Sequence, residues 1–299
     1  FGHKTINRTA VFTLPTEIMD FYKRHLEFVT QHAVDPDMRR YALPEEAARH
    51  YIDIDHYGEQ PFDQVPRNWD EAVQKFTEDT MQAYGIVPWH VEKMYQRLIW
   101  AFKDRDVEYI LKTSADIGHY IADAHVPLHT TENYNGQLTN QHGIHGFWES
   151  RLPEIYADDY NFFVGKARFI NNPNELIWNT VEASHNALDS VLGFERALNE
   201  SFPRDRKYAF EERGASTVKT YSRDYSAEYH VMLNHQVERR MRAAIITVGS
   251  FWYSAWIEAG KPNLTDNMKN LDNQRLLDEQ RQLEADYQNR KVKSREHEE

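Results

Sequence analysis

The chain has 299 residues, of which 40% are hydrophobic and 27% charged, and it carries a formal net charge of −12 and no cysteine. This length is sufficient for one large core or two small ones, and no apolar run approaches the roughly 20 residues of a transmembrane helix. The lack of cysteine excludes disulfides and thiolate metal sites, and the acidic balance argues against a broad basic surface that binds nucleic-acid phosphates.

Amphipathic helices dominate the predicted secondary structure. The first, over residues 15–29, places Ile18, Phe21, Tyr22 and Leu26 on one face after a Pro-Thr start signal. Similar helical patterns follow at residues 68–85, 87–106, 106–126, 172–192 and 215–260. Few stretches alternate with period two, so the sequence predicts an all-α fold.

The composition changes after Thr265. We expect residues 1–265 to form one helical domain, and residues 266–299 to form a highly charged tail that is helical or disordered. The chain opens on Phe1 without an initiator methionine, and from this we expect processing or trimming at the N-terminus.

Metal-capable side chains concentrate in the stretch GHYIADAHVPLH, residues 118–129. His119 and Asp123 lie four residues apart on a predicted helix, so both side chains leave from one face. Pro127 then breaks the helix, and His129 follows on its far side. A buried carboxylate on this face would be costly unless a cation neutralised it.

The same pairing recurs downstream, where His145 and Glu149 are again four residues apart. A single pair of this kind is usually a surface hydrogen bond. Two pairs, joined by a proline corner within 31 residues, favour a metal site instead. Nitrogen and carboxylate ligands without sulfur are typical of catalytic zinc, which keeps an open position for water.

Two upstream segments offer further ligands. RHYIDID contains His50 and Asp53, and HAVDPD contains Asp35 and Asp37. An Asp-x-Asp run can also belong to a calcium loop, but no Gly and Glu follow at EF-hand spacing.

The run His119-x3-Asp123-x5-His129, followed by His145-x3-Glu149, resembles the zinc-dependent phospholipase C and fungal/plant zinc nuclease superfamily. The segments AHVPLH and IHGFWES are similar to the turn and helix of that superfamily's metal motif. The resemblance therefore implies a compact multi-helix domain of this type and a phosphodiester hydrolase.

The resemblance covers roughly residues 1–262 and extends to the upstream groups. His50 resembles the family's histidine before an aromatic residue, and Asp35 its upstream carboxylate, with Asp37 as the alternative. His3 resembles the family's first histidine. In the family a tryptophan before this histidine also binds zinc, and no tryptophan precedes His3 here, so the completeness of that site stays open.

Carried over residue by residue, the resemblance implies two to three zinc ions in one cleft, held by three groups of imidazole and carboxylate side chains. The groups are Asp35, His50, His119 and Asp123; His3 with the shared Asp123; and His129, His145 and Glu149. It also implies hydrolysis by a metal-activated water, with Asp35 and Asp123 as catalytic residues.

Three residues are candidates for substrate contact. Tyr51 and Asp53 follow His50 at positions that face the base in the nucleases, and Trp148 adjoins the metal helix. The structural alternative is that Tyr51 belongs to the core and Asp53 caps a turn.

Three functions fit these patterns. A phospholipase C-like enzyme is favoured by RHYIDID and by the lack of cysteine. A nuclease for single-stranded nucleic acid and a non-catalytic, zinc-stabilised binding protein are the alternatives. No obligate protein partner is inferred, and by resemblance alone we expect a secreted or periplasmic protein.

Overall fold

Helices account for most of the regular structure in the computed structural model, which describes residues 1–214, 216–264, 273–289 and 292. The all-α prediction is therefore confirmed, apart from one small hairpin. The α-helices are α1 (Gly2–Ala10), α2 (Thr16–Arg24), α3 (Leu26–Gln31), α4 (Asp35–Arg39), α5 (Pro61–Gln64), α6 (Trp69–Phe76), α7 (Glu78–Tyr84), α8 (Val87–Asp104), α9 (Val107–Ala124), α10 (Ile144–Gly146), α11 (Leu152–Tyr156), α12 (Pro173–His185), α13 (Leu188–Ser201), α14 (Arg223–Met232), α15 (Gln236–Glu258) and α16 (Asn273–Asn289).

Helix α9 runs through the centre of the protein. It packs against α8, α15 and α1, and most of its residues are buried. The Asp106 side chain caps its first turn by accepting a hydrogen bond from the main-chain N–H of Tyr109, at 3.0 Å. Because neighbours surround α9 on several sides, its polar residues His119 and Asp123 lie inside the protein rather than at its surface.

Helix α1 approaches α9 closely at Gly118, where a Cβ atom would lie 2.1 Å from Asn7 Oδ1. The Asn7 amide donates hydrogen bonds to the main-chain oxygens of Val29 and Ala115, at 3.2 and 3.1 Å. His3 lies one turn before Asn7 on the same face of α1. The small residue at Gly118 thus allows His3 to reach the polar end of α9.

A two-stranded antiparallel hairpin interrupts the helices. Strand β1 (Tyr208–Arg213) pairs with strand β2 (Ser216–Tyr221), with Tyr208 opposite Tyr221. The sequence did not predict it, because the strands are short and one of their largest apolar residues, Phe210, is exposed. Glu211 of β1 accepts two hydrogen bonds from the Arg151 guanidinium, which ties the hairpin to the turn that carries Glu149.

The charged tail contains one described helix, α16, which packs on α4. The predicted domain boundary between residues 265 and 266 lies outside the described residues. Within the described part of the chain, every helix is too short or too polar to cross a membrane.

Candidate metal centre

The last two turns of α9 supply a deeply buried polar pair, His119 and Asp123. The Nε2 atom of His119 lies 3.2 Å from Oδ2 of Asp123, and both side chains are shielded from solvent. The other ring nitrogen of His119, Nδ1, donates a hydrogen bond to the main-chain oxygen of Ala33 at 2.8 Å. This contact fixes the ring so that Nε2 faces the carboxylate.

His50 joins this pair from a loop that follows a 3-10 turn at Ala47–Arg49. Its Nδ1 atom lies 2.9 Å from Asp123 Oδ2 and 3.0 Å from His119 Nε2. The main chain holds the loop in place, since Ile52 N–H donates to the His129 oxygen and His129 Nδ1 donates to the His50 oxygen. The structure therefore brings together three residues that are up to 73 positions apart in sequence.

The second group consists of His129, His145 and Glu149. Glu149 Oε2 lies 2.8 Å from His145 Nε2 and 3.3 Å from His129 Nε2. His145 Nδ1 donates to the main-chain oxygen of Tyr134 at 3.1 Å. Glu149 belongs to a π-helical turn (Phe147–Arg151), a wider turn often found at functional sites.

His3 lies between the two groups. Its Nε2 atom is 3.4 Å from Asp123 Oδ1 and 3.5 Å from Glu149 Oε1, and its ring stacks on that of His119 with the centroids 4.0 Å apart. His3, Asp123 and Glu149 thus form a third group in which every ligand atom is within 4.8 Å of the others.

The upstream carboxylate at the cluster is Asp37, whereas the resemblance pointed first to Asp35. Asp37 Oδ1 lies 3.8 Å from His119 Nε2 and 3.9 Å from His50 Nδ1. Asp35 Oδ2 instead accepts a hydrogen bond from His32 Nδ1 at 2.6 Å. Both aspartates belong to the short helix α4, where side chains two positions apart leave on different faces, so only one of them faces the cluster.

The lining of the open cleft does not include the three predicted substrate-contact residues. The Tyr51 hydroxyl donates to the Ala83 oxygen, and Asp53 is buried, with its main-chain N–H bonded to the Tyr84 oxygen. Trp148 is also buried, and its Nε1 donates to Gln236 Oε1 at 3.1 Å. The chain leaves the cluster directly after His50, and Tyr51 and Asp53 contact α7 instead. Tyr51 is only partly buried, and Asp53 occupies the N-cap position of the turn Ile54–Tyr57 without a side-chain cap hydrogen bond.

The cluster opens into a cleft of about 530 Å³. Its lining includes metal-capable groups of all three sets: His3, Asp37, Asp123, His129, His145 and Glu149. His50 and His119 lie beneath this surface. Met38, Tyr41 and Tyr287 also line the cleft.

The sequence did not indicate Glu46, a fully buried carboxylate behind His50. It accepts hydrogen bonds from the Tyr120 hydroxyl and from the Arg49 guanidinium, and its Oε1 atom lies 3.9 Å from His50 Nε2. Burial alone would raise the pKa of Glu46, but Arg39 and its other partners outweigh it and hold the pKa below the usual value. The only sequence signal is a glutamate four residues before a histidine, which is common on exposed helices.

The cluster strongly perturbs the pKa values of its members. Burial would lower the pKa of His119, but the charges of Asp123 and Asp37 outweigh it and raise this pKa to about 9. Burial would raise the pKa of Asp123, but His119 and His129 hold it well below its usual range. The ionised carboxylates are therefore stabilised by positive charge beside them. Either protons on the histidines or a metal ion can supply that charge.

The donor set fits zinc in its chemistry and in its spacing. Two ligand atoms on a tetrahedral zinc lie about 3.3 Å apart, because each bond is about 2.0–2.1 Å long. The ligand-atom separations of 2.8–3.3 Å within the two histidine–carboxylate groups are close to this value. All donors are imidazole nitrogens or carboxylate oxygens, and several histidines are oriented by a second hydrogen bond, as metal ligands usually are.

A helical fold with buried imidazole and carboxylate groups around one cleft is typical of metal-dependent hydrolases. A family model described as zinc-dependent phospholipase C matches residues 2–211, and the chain therefore belongs to that family. It is accordingly a phosphoric ester hydrolase, and the family implies a phospholipid substrate. No curated protein matches the chain.

Proposed function

We propose that the protein hydrolyses the phosphodiester bond of a phospholipid in a cleft that holds two to three zinc ions. The observation that carries this proposal is the convergence of several overlapping histidine–carboxylate groups on one cavity. His50, His119, Asp123 and Asp37 would hold one ion; His129, His145 and Glu149 a second; and His3 with Asp123 and Glu149 a third.

When bound, the zinc ions would lower the pKa of a water molecule and stabilise the negative charge that develops on the phosphate. Asp123 bridges two of the residue groups through separate oxygens, since Oδ2 faces His50 and His119 while Oδ1 faces His3. Asp37 lines the cleft and is about a third exposed, so its carboxylate is accessible to the attacking water. We assign to Asp37 the role of orienting that water and accepting its proton, which the resemblance had given to Asp35.

The bridging role of Asp123 is tested by Asp123→Asn, with the exposed Asp104→Asn as the matched control. We expect the Asp123 variant to lose both phospholipid hydrolysis and at least one zinc ion per chain, while the control retains both. Retention of all zinc in the Asp123 variant would refute the bridge. A panel that includes single-stranded DNA tests the nuclease alternative in the same preparation.

A further inference from the structure

Helix α16 contributes to the cleft although it lies beyond the part of the chain that the family model matches. Its Tyr287 side chain lines the same cavity as His3, Asp123 and Glu149. The cavity therefore combines a metal-binding surface from the matched segment with a side that comes from the charged tail.

The Tyr287 ring packs against Tyr41, with the centroids 5.2 Å apart and the planes at 79°. Tyr41 lines the cavity too, and Met38 lies beside it. We call Tyr41 and Tyr287 the aromatic wall. Its character differs from that of the carboxylates and imidazoles that also line the cavity, because tyrosine offers an apolar ring with a polar tip.

Surface ion pairs attach α16 to α9. Arg275 pairs with Glu108, and Lys112 Nζ lies 2.5 Å from Glu279 Oε2. Beyond the end of α16, the main-chain N–H of Val292 donates a hydrogen bond of 3.0 Å to the main-chain oxygen of Tyr41. Exposed ion pairs contribute little to stability and are screened by salt, so this part of the attachment of α16 is weak.

We propose that Tyr287, held against Tyr41, determines specificity by contacting the acyl-bearing part of the phospholipid. This inference rests on the proposed function, because the phosphate is assigned to the metal-binding groups. The part of the phospholipid that extends from those groups contacts the aromatic wall. Its apolar acyl chains match the tyrosine rings, and its ester oxygens can accept hydrogen bonds from the tyrosine hydroxyls. Contacts of this kind improve binding without assisting the chemical step, so they affect KM rather than kcat.

The experiment compares Tyr287→Ala with Leu277→Ala, a change at an exposed residue of the same helix. Steady-state kinetics are measured on the full-length, zinc-loaded protein with monomeric diacyl phospholipids that carry four-carbon or six-carbon chains. We expect Tyr287→Ala to raise KM for the longer lipid by about fivefold and for the shorter one by less than twofold, with kcat unchanged. Leu277→Ala should match the wild type.

Equal effects on the two lipids, or an unchanged KM for both, would overturn the inference and leave the proposed function intact. A fall in kcat without a change in KM would also overturn it, because it would indicate a purely structural role. If the wild type hydrolysed neither lipid while carrying zinc, the proposed function would fail, and this inference with it.

A second measurement tests whether the ion pairs position Tyr287. The double variant Lys112→Ala/Arg275→Ala should raise KM for the longer lipid, though by less than Tyr287→Ala does, because α16 also packs on α4. Combining all three changes should add nothing further, because both routes remove one contact. Additive effects would contradict a positioning role for the ion pairs.

Discussion

Different kinds of contact hold the floor of the cleft and its aromatic wall in place. In the floor, formed by His50, His119, Asp123, His129, His145 and Glu149, main-chain oxygens fix three of the four histidine rings. In the wall, Tyr287 lies on α16, whose contacts with α9 include exposed side-chain ion pairs. Groups that need sub-ångström placement thus depend on the main chain, whereas the group proposed to select the substrate depends on contacts that a few substitutions can change.

The largest effect is expected from His119→Ala, which removes one of the proposed zinc ligands in the floor. We expect phospholipid turnover to fall by more than the roughly 10–100-fold that is typical for the loss of an outer partner of a metal ligand. Helix content should be retained, because α8, α15 and α1 still enclose α9. The exposed His142→Ala is the control, and full activity in the His119 variant would contradict the assignment of the floor.

A smaller effect is expected from Glu46, which lies behind His50 of the floor. Glu46→Gln removes the buried charge that faces His50 Nε2 and pairs with Arg49. We expect zinc affinity, measured by competition with a chelator, to fall by about 10–100-fold. The exposed neighbour Glu45→Gln should leave it unchanged. Equal affinities in the two variants would mean that Glu46 does not support His50.

The buried His125, two residues after Asp123, should make the stability of the protein sensitive to acid. Burial and the nearby Arg240 charge lower the pKa of His125 from 6.5 to about 3. Because the unfolded chain binds the proton more tightly, the free energy of unfolding should fall as the pH drops below about 6.5, by roughly 2 kcal/mol between pH 7 and 5. In urea unfolding experiments, the free energy of unfolding of His125→Asn should fall less over the same pH range. Identical losses in the two proteins would contradict a buried neutral histidine.

The smallest effect is expected from a change in α16, the helix that carries Tyr287 of the wall. Leu276 is the buried apolar residue of α16, whereas its neighbour Leu277 is about half exposed. Leu276→Ala should accelerate amide hydrogen exchange in α16 by about tenfold or more, with little change in zinc content or in the exchange of α9. Leu277→Ala should leave both helices unchanged. Slower exchange in α16 than in α9 would contradict the comparison between wall and floor.

The sequence was informative where the relevant contacts are local. The four-residue spacing of His119 with Asp123, and of His145 with Glu149, follows from helix geometry, so each pair was visible before the structure was known. The spacing could not decide between Asp35 and Asp37, because the choice depends on how the short helix α4 sits against α9. Nor could it show that Tyr51 and Asp53 turn away from the cleft.

Other features depend on long-range packing. Glu46 is significant only because Tyr120 and Arg49 bury it behind His50. Tyr287 enters the cleft only because α16 returns to α4, far away in sequence. The family resemblance, confirmed over residues 2–211, supplied what spacing alone could not, namely the link from His3 and His50 to the central motif.

Metal content per chain, measured by mass spectrometry on protein purified without a nickel column, tests the central claim most directly. The proposed function predicts two to three zinc ions per chain, and one fewer in Asp123→Asn. A value close to zero in the wild type, even after zinc is added back, would contradict the zinc cleft. The cluster would then be a set of hydrogen-bonded histidine–carboxylate pairs.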